Sequence, residues 1–164
     1  AQNNNTISFE KEDACKLPFS ENTFDTILAL ESIFHFQNRK VFFEEAFRVL
    51  KPGGILTFSD FIPKDEFVIF MILMNIFDIG KNFFGNFYAG YTRKDYLKLA
   101  MQTGFALKSE EDITDNTLPT YNFLWSLKNE IKSNNLEALT STYILNFVNS
   151  LKLIQYHIYS FQKT

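Results

Sequence analysis

An α/β fold with a partly parallel sheet is predicted by one stretch of the chain, in which two apolar runs of strand length flank an amphipathic helical segment. The first run is Phe24-Asp25-Thr26-Ile27-Leu28-Ala29-Leu30 and the second is Ile55-Leu56-Thr57-Phe58-Ser59. Between them Phe42, Phe43, Ala46, Phe47 and Leu50 fall on one helical stripe, while Glu44, Glu45 and Arg48 fall on the other face. Strands joined through a helix form a parallel pair with a right-handed crossover, so both carboxyl ends meet one edge of the sheet. The 164 residues suffice for one compact domain with a real core, and are too few for two ordinary ones.

In chain order, Thr6 to Asp13 alternates Ile7 and Phe9 with Ser8 and Glu10, the period of a short strand. Leu17-Pro18-Phe19-Ser20-Glu21-Asn22 is a turn-rich loop, and the apolar run from Phe24 reads as a strand buried on both faces. The helix from Arg39 stops at Lys51-Pro52-Gly53-Gly54, because proline lacks the N–H to continue and glycine tolerates a left-handed exit. A helical insertion follows from about Asp65 to Asn82, then a loop with Gly80, Gly85 and Gly90. Thr92-Arg93-Lys94-Asp95 resembles a capping box with Asp in place of Glu, opening a helix that Gly104 ends. Phe105 to Ile113 reads as a strand, Tyr121 to Ser133 and Leu136 to Leu153 as helices, and Tyr156 to Phe161 as an edge strand. No repeat or linker divides the chain, so residues 1–164 form a single domain.

The net charge of -3, without a run of Lys or Arg, argues against a nucleic-acid footprint. Cys15 is the single cysteine, so no internal disulfide forms, no zinc site or other metal site is supported, and a reducing, cytoplasmic location is expected. The longest apolar run, Phe67 to Phe77, is about half of the ~20 residues needed to span a bilayer, and reads as a buried or lid helix. Ala1 is not followed by a charged start and an apolar signal core, and the lack of an initiating Met suggests a chain cut or numbered from an internal point.

Ligands of open α/β sheets bind outside the carboxyl ends of the strands. Four polar residues gather at that rim: Asp13, Glu31, His35 and Asp60. Asp13 suits either a turn cap or a carboxylate accepting from a ligand amine. His35, between Phe34 and Phe36, is either a general base or a histidine satisfied by backbone. Asp60 could orient that imidazole, act as base itself, or cap the next segment. The stripe Phe67, Phe70, Met71, Met74 and Phe77 suits core packing or the roof of an apolar pocket. Cys15 has no adjacent base and is a poor nucleophile candidate.

Glu12-Asp13-Ala14-Cys15-Lys16-Leu17-Pro18-Phe19, followed by Asn22-Thr23-Phe24-Asp25, resembles the "gDA..LPF...sFD" segment of class I S-adenosylmethionine-dependent methyltransferases. Leu30-Glu31-Ser32-Ile33-Phe34-His35-Phe36 resembles the segment that follows in that family, and Arg48-Val49-Leu50-Lys51-Pro52-Gly53-Gly54 completes a collinear set over residues 6–62. The remainder resembles the lid helices and closing strands of the small-molecule, type 11-like branch, which includes rebeccamycin-type sugar O-methyltransferases; Asp112-Ile113-Thr114 and Tyr156 to Lys163 are the weaker matches.

This resemblance implies a Rossmann-like class I methyltransferase sheet with a helical lid insertion, divided into a cofactor side at 1–62, lid and substrate elements at 63–155 and a closing strand at 156–164. It implies S-adenosyl-L-methionine as cofactor, with Asp13 accepting from the adenine amino group, the Ala14 backbone beside the ring, and Leu30, Glu31 and His35 toward the methionine end. It also implies that His35 and Asp60 are the catalytic base pair for a small-molecule acceptor, in a motif where the family carries two histidines and this chain has Phe34-His35. The chemistry is a direct displacement at the sulfonium methyl group, in which alignment and desolvation do most of the work.

Family members also carry a glycine-rich loop and an acidic ribose-binding residue ahead of these motifs. All six glycines here follow position 52, so the expectation is a sheet lacking its first two strands, inactive by itself. The alternative is a degenerate module with a binding or scaffolding role, prone to self-association through an exposed sheet edge.

Overall fold

The computed structural model describes residues 6–76, 88, 90–127 and 136–164. Strand β1 (Phe24–Ala29) leads through a 3-10 turn (Ile33–His35) into helix α1 (Arg39–Val49), and β2 (Leu50–Pro63) returns parallel to β1. A second 3-10 turn (Asp65–Phe67) opens α2 (Val68–Ile76). Then come α3 (Arg93–Thr103), β3 (Phe105–Asp112), α4 (Thr114–Ser126), α5 (Leu136–Ser150) and β4 (Ile154–Lys163). The sheet order is β1-β2-β4-β3, with β4 antiparallel to both neighbours.

Helix α1 starts where Asn38 Oδ1 accepts the Val41 N–H at 3.2 Å, a cap for one of the amides that the first turn leaves unpaired. Its apolar stripe turns Phe42, Phe43, Ala46 and Val49 inward. The Phe43 ring sits within 6.2 Å of Tyr96 and closer to Phe58, Phe105 and Phe161, so α1, α3 and three strands share one aromatic core. Residues alternate along β2 and β4, and the opposite face carries a smaller cluster of Met71, Val148 and Ile154 with Phe61 and Phe67. Helix α3 begins with the predicted capping box: Thr92 Oγ1 accepts the Asp95 N–H at 3.3 Å and Asp95 Oδ2 accepts the Thr92 N–H at 2.9 Å. It ends at Gly104, whose φ of +91° only glycine adopts without strain.

Several elements depart from the sequence reading. Thr6 to Glu12 forms no strand, and Ile7 and Phe9 are exposed; alternation yields a strand only beside a ladder partner, and none of the described strands offers one. Asp13 instead closes an isolated bridge with Lys16. Strand β1 stands at the edge of the described sheet, and Leu28 and the following Leu30 are exposed there, where the sequence predicts a strand buried on both faces. Conversely β4, expected at an edge, runs through the interior of the sheet, since its two alternating sets each meet a helical layer.

Lys51-Pro52-Gly53-Gly54 does not lead into a separate loop. The chain enters β2 at Leu50, and the extra residues are absorbed as an irregularity where Phe24 pairs with Leu50 and Thr26 with Ile55. Helix α4 begins at Thr114, seven residues ahead of the expected Tyr121, with Pro119 inside it. Helix α5 stops at Ser150, short of Leu153, because Lys152 turns at φ +52°. The ends of the predicted insertion (77–82, with Phe77) and of the first lid helix (128–133), with Gly80 and Gly85, lie outside the described residues.

Candidate functional site

The parallel pair β1 and β2 places the residues after β1 and the C-terminal half of β2 at a common rim. Glu31, two residues past β1, is held at φ +51°, a left-handed conformation that a side chain disfavours. Its N–H donates to Ser59 Oγ at 3.2 Å, and the Ser59 hydroxyl donates back to Glu31 Oε1 at 3.3 Å. The Tyr156 phenol donates to the same Ser59 oxygen at 3.1 Å. Burial pushes the Tyr121 phenol up, with the Glu31 charge as the second cause.

Asp13 heads a tight turn in which its backbone oxygen accepts the Lys16 N–H at 2.9 Å and its Oδ1 accepts the Cys15 N–H at 2.8 Å. The Cys15 thiol lies 3.6 Å from the Asn38 carbonyl, which fastens this turn to the start of α1 and therefore to the same rim as Glu31. Helix α1 also grips the loop that follows. Glu45 Oε2 accepts the Leu17 N–H at 2.9 Å, and the Arg48 guanidinium donates to the Phe19 carbonyl at 2.7 Å and to the Leu17 carbonyl at 3.0 Å. By periodicity alone Glu45 and Arg48 are simply the polar face of α1; their three-residue spacing is the signal that they act as a unit. Burial raises the Cys15 thiol, followed by the charges of Asp13 and Glu45, so the group stays protonated and is no nucleophile.

His35 ends the first 3-10 turn and is exposed, its ring 4.3 Å from that of Phe34. Asp60 lies lower. It is 1% exposed, on the α1/α3 face of β2, and its described hydrogen bonds come from Tyr96, from Arg39 at 3.3 Å and from the Phe61 N–H at 2.8 Å. His35 is not among these partners. Burial raises the Asp60 carboxyl above the ordinary range against the pull of Arg39 and Tyr96. Arg39, 2% exposed, also stacks over the Tyr91 ring at 4.3 Å. The structure therefore brings Asp13, Ala14, Glu31 and exposed Leu30 to one rim with His35, and buries Asp60 on the α1/α3 face of β2. Among the described residues no group of three or more His, Cys, Asp or Glu could hold a metal ion, and no helix is long and apolar enough to cross a membrane.

This rim offers two exposed carboxylates with apolar side chains nearby, a surface suited to a ligand that carries donor groups on an apolar frame. The methyltransferase-domain family matches residues 1–58. Erythromycin 3''-O-methyltransferase of Saccharopolyspora erythraea is 48% identical over 59 residues, covering 36% of this chain and 19% of the relative. Sterol 24-C-methyltransferase of Schizosaccharomyces pombe is 30% identical over 129 residues, covering 75% of this chain and 32% of the relative. The chain thus spans a third or less of the length of these two proteins. Among solved structures, geranyl diphosphate C-methyltransferase from Streptomyces coelicolor, in complex with S-adenosyl-L-homocysteine, superposes with a TM-score of 0.70 at 15% identity, over 94% of this chain and 52% of that one.

Proposed function

The chain belongs to the class I S-adenosylmethionine-dependent methyltransferases, and from that premise we propose that it serves methyl transfer to a hydroxyl of a small-molecule acceptor. The observation that carries this reading is the rim itself: the Asp13 turn fastened to α1, and Glu31 bent out of β1 and tied to β2 through Ser59. The residues present fit the cofactor. Asp13 is exposed with one carboxylate oxygen on the Cys15 amide, which turns an acceptor toward an incoming amine such as that of adenine. The Ala14 backbone would lie beside the ring, and Leu30 with Glu31 would border the methionine end. When bound, the cofactor supplies an electrophilic methyl group on a sulfonium.

What the chain's own residues do is positional and proton-directed. In this reading His35, which is exposed, takes the acceptor's hydroxyl proton. Asp60 contributes by fixing Arg39, the first residue of α1, and with it the segment that enters the helix after His35. In the protein at its full encoded length, His35→Ala should cut turnover about 10²-fold or more while leaving S-adenosylhomocysteine affinity within twofold, roughly the scale of general-base catalysis. Steady-state kinetics beside calorimetry check this; undiminished turnover removes His35 as the base.

A second reading, a binding module without transferase activity, is favoured by the exposed Leu28 and Leu30 along edge strand β1. Concentration-dependent dimers in sedimentation, together with no binding of S-adenosylhomocysteine, would support it over the first.

A further inference from the structure

Ser59 is 4% exposed, so its hydroxyl cannot rely on water for its hydrogen bonds. It makes three: it accepts from the Glu31 N–H and the Tyr156 phenol, and donates to Glu31 Oε1. Tyr156 is buried too, packed against Phe61 at 4.9 Å, with its backbone N–H on Thr114 Oγ1 at 2.9 Å. The chain of hydroxyls thus begins on β4, crosses β2 and ends on Glu31, two residues past β1. Its last member differs from the others, because Glu31 is exposed and water alone would solvate its carboxylate. Two buried hydroxyls are therefore committed to the orientation of an exposed acid, on a backbone held in the left-handed region. Core stability needs no such arrangement, whereas a binding carboxylate with a fixed direction does.

We propose that Ser59 and Tyr156 are positioning residues that lock the Glu31 carboxylate toward the cationic, ammonium-bearing end of the cofactor. This rests on the methyltransferase reading above. Neither Ser59 nor Tyr156 touches the ligand in this scheme; both act through Glu31.

The test is a calorimetric cycle with S-adenosylhomocysteine on the protein at its full encoded length. Ser59→Ala should weaken binding about tenfold, and Tyr156→Phe about threefold, as expected for losing the donor to a charged acceptor and then that donor's own support. Glu31→Gln should also weaken binding about tenfold, and adding Ser59→Ala to it should cost less than about twofold more, since the hydroxyl then has no carboxylate to direct. A merely structural role would not produce that loss of additivity. Ser59→Ala binding as tightly as wild type, or weakening the Glu31→Gln protein as much as it weakens wild type, would overturn the proposal. Wild-type protein that binds no S-adenosylhomocysteine would defeat the underlying reading and this one with it, a result visible before any variant is made.

Discussion

Asp60 and Arg39 form a buried ion pair whose energetics run against first intuition. Burial outweighs the Arg39 charge and raises the Asp60 carboxyl. A raised carboxyl binds its proton more tightly in the folded state, so its contribution is fullest below its ordinary 3.8 and is lost as pH rises. Removing it is nonetheless costly, because Arg39 would stay buried with an Nε that already lacks a hydrogen-bond partner among the described residues. Asp60→Ala should therefore lower unfolding stability by about 3–5 kcal/mol in urea denaturation. Glu110 shows the opposite sign. Its burial raises the carboxyl, but the hydrogen bonds and charge of Arg93, and then the charge of His157, outweigh it and hold it below its ordinary 4.5. Its contribution is present above that value and disappears as pH falls, so Glu110→Gln should flatten the acid limb of a stability–pH profile; an unchanged limb would remove Glu110 from the account. The sequence made Asp13, Glu31 and His35 legible as rim residues, because a strand–helix–strand unit fixes where strands end. The pairing of Asp60 was not legible: it depends on the face of β2 that Asp60 takes and on Tyr96, 36 residues away.

At the level of elements, signals closed within a few residues were readable and those set by distant neighbours were not. The capping box of α3 needs only Thr92 and Asp95, and its C-terminal stop needs only Gly104. Thr92→Ala should cost about 1 kcal/mol, the usual worth of an N-cap, with the melting temperature falling accordingly. Gly104→Ala should cost more than about 1 kcal/mol, because a side chain at positive φ is strained. The new Cβ would also sit 2.9 Å from the Phe47 ring. Strand position within the sheet is another matter. β4 alternates just as an edge strand would, and only its pairing with both β2 and β3 shows it to be interior. Thr6 to Asp13 alternates too, yet its pattern meets no ladder. The early start of α4 was hidden by Pro119, which reads as a helix boundary but lies within the helix.

For the whole molecule, the family was legible because its marks are concentrated where α1 binds the preceding loop. Leu17-Pro18-Phe19 and Arg48-Val49-Leu50 stand far apart in sequence, but the Glu45 and Arg48 side chains tie the first to the second, and the Cys15 thiol ties the Asp13 turn to the start of α1. The acceptor was not legible, since pocket shape arises from elements brought together by the fold. The central claim is that this rim holds S-adenosylmethionine through Asp13. Titration calorimetry of S-adenosylhomocysteine into the protein at its full encoded length, wild type and Asp13→Ala, tests it most directly. The account predicts saturable one-to-one binding by wild type, weakened about tenfold or more in the variant by loss of a hydrogen bond to a charged acceptor; equal binding by both, or none by wild type, would contradict it.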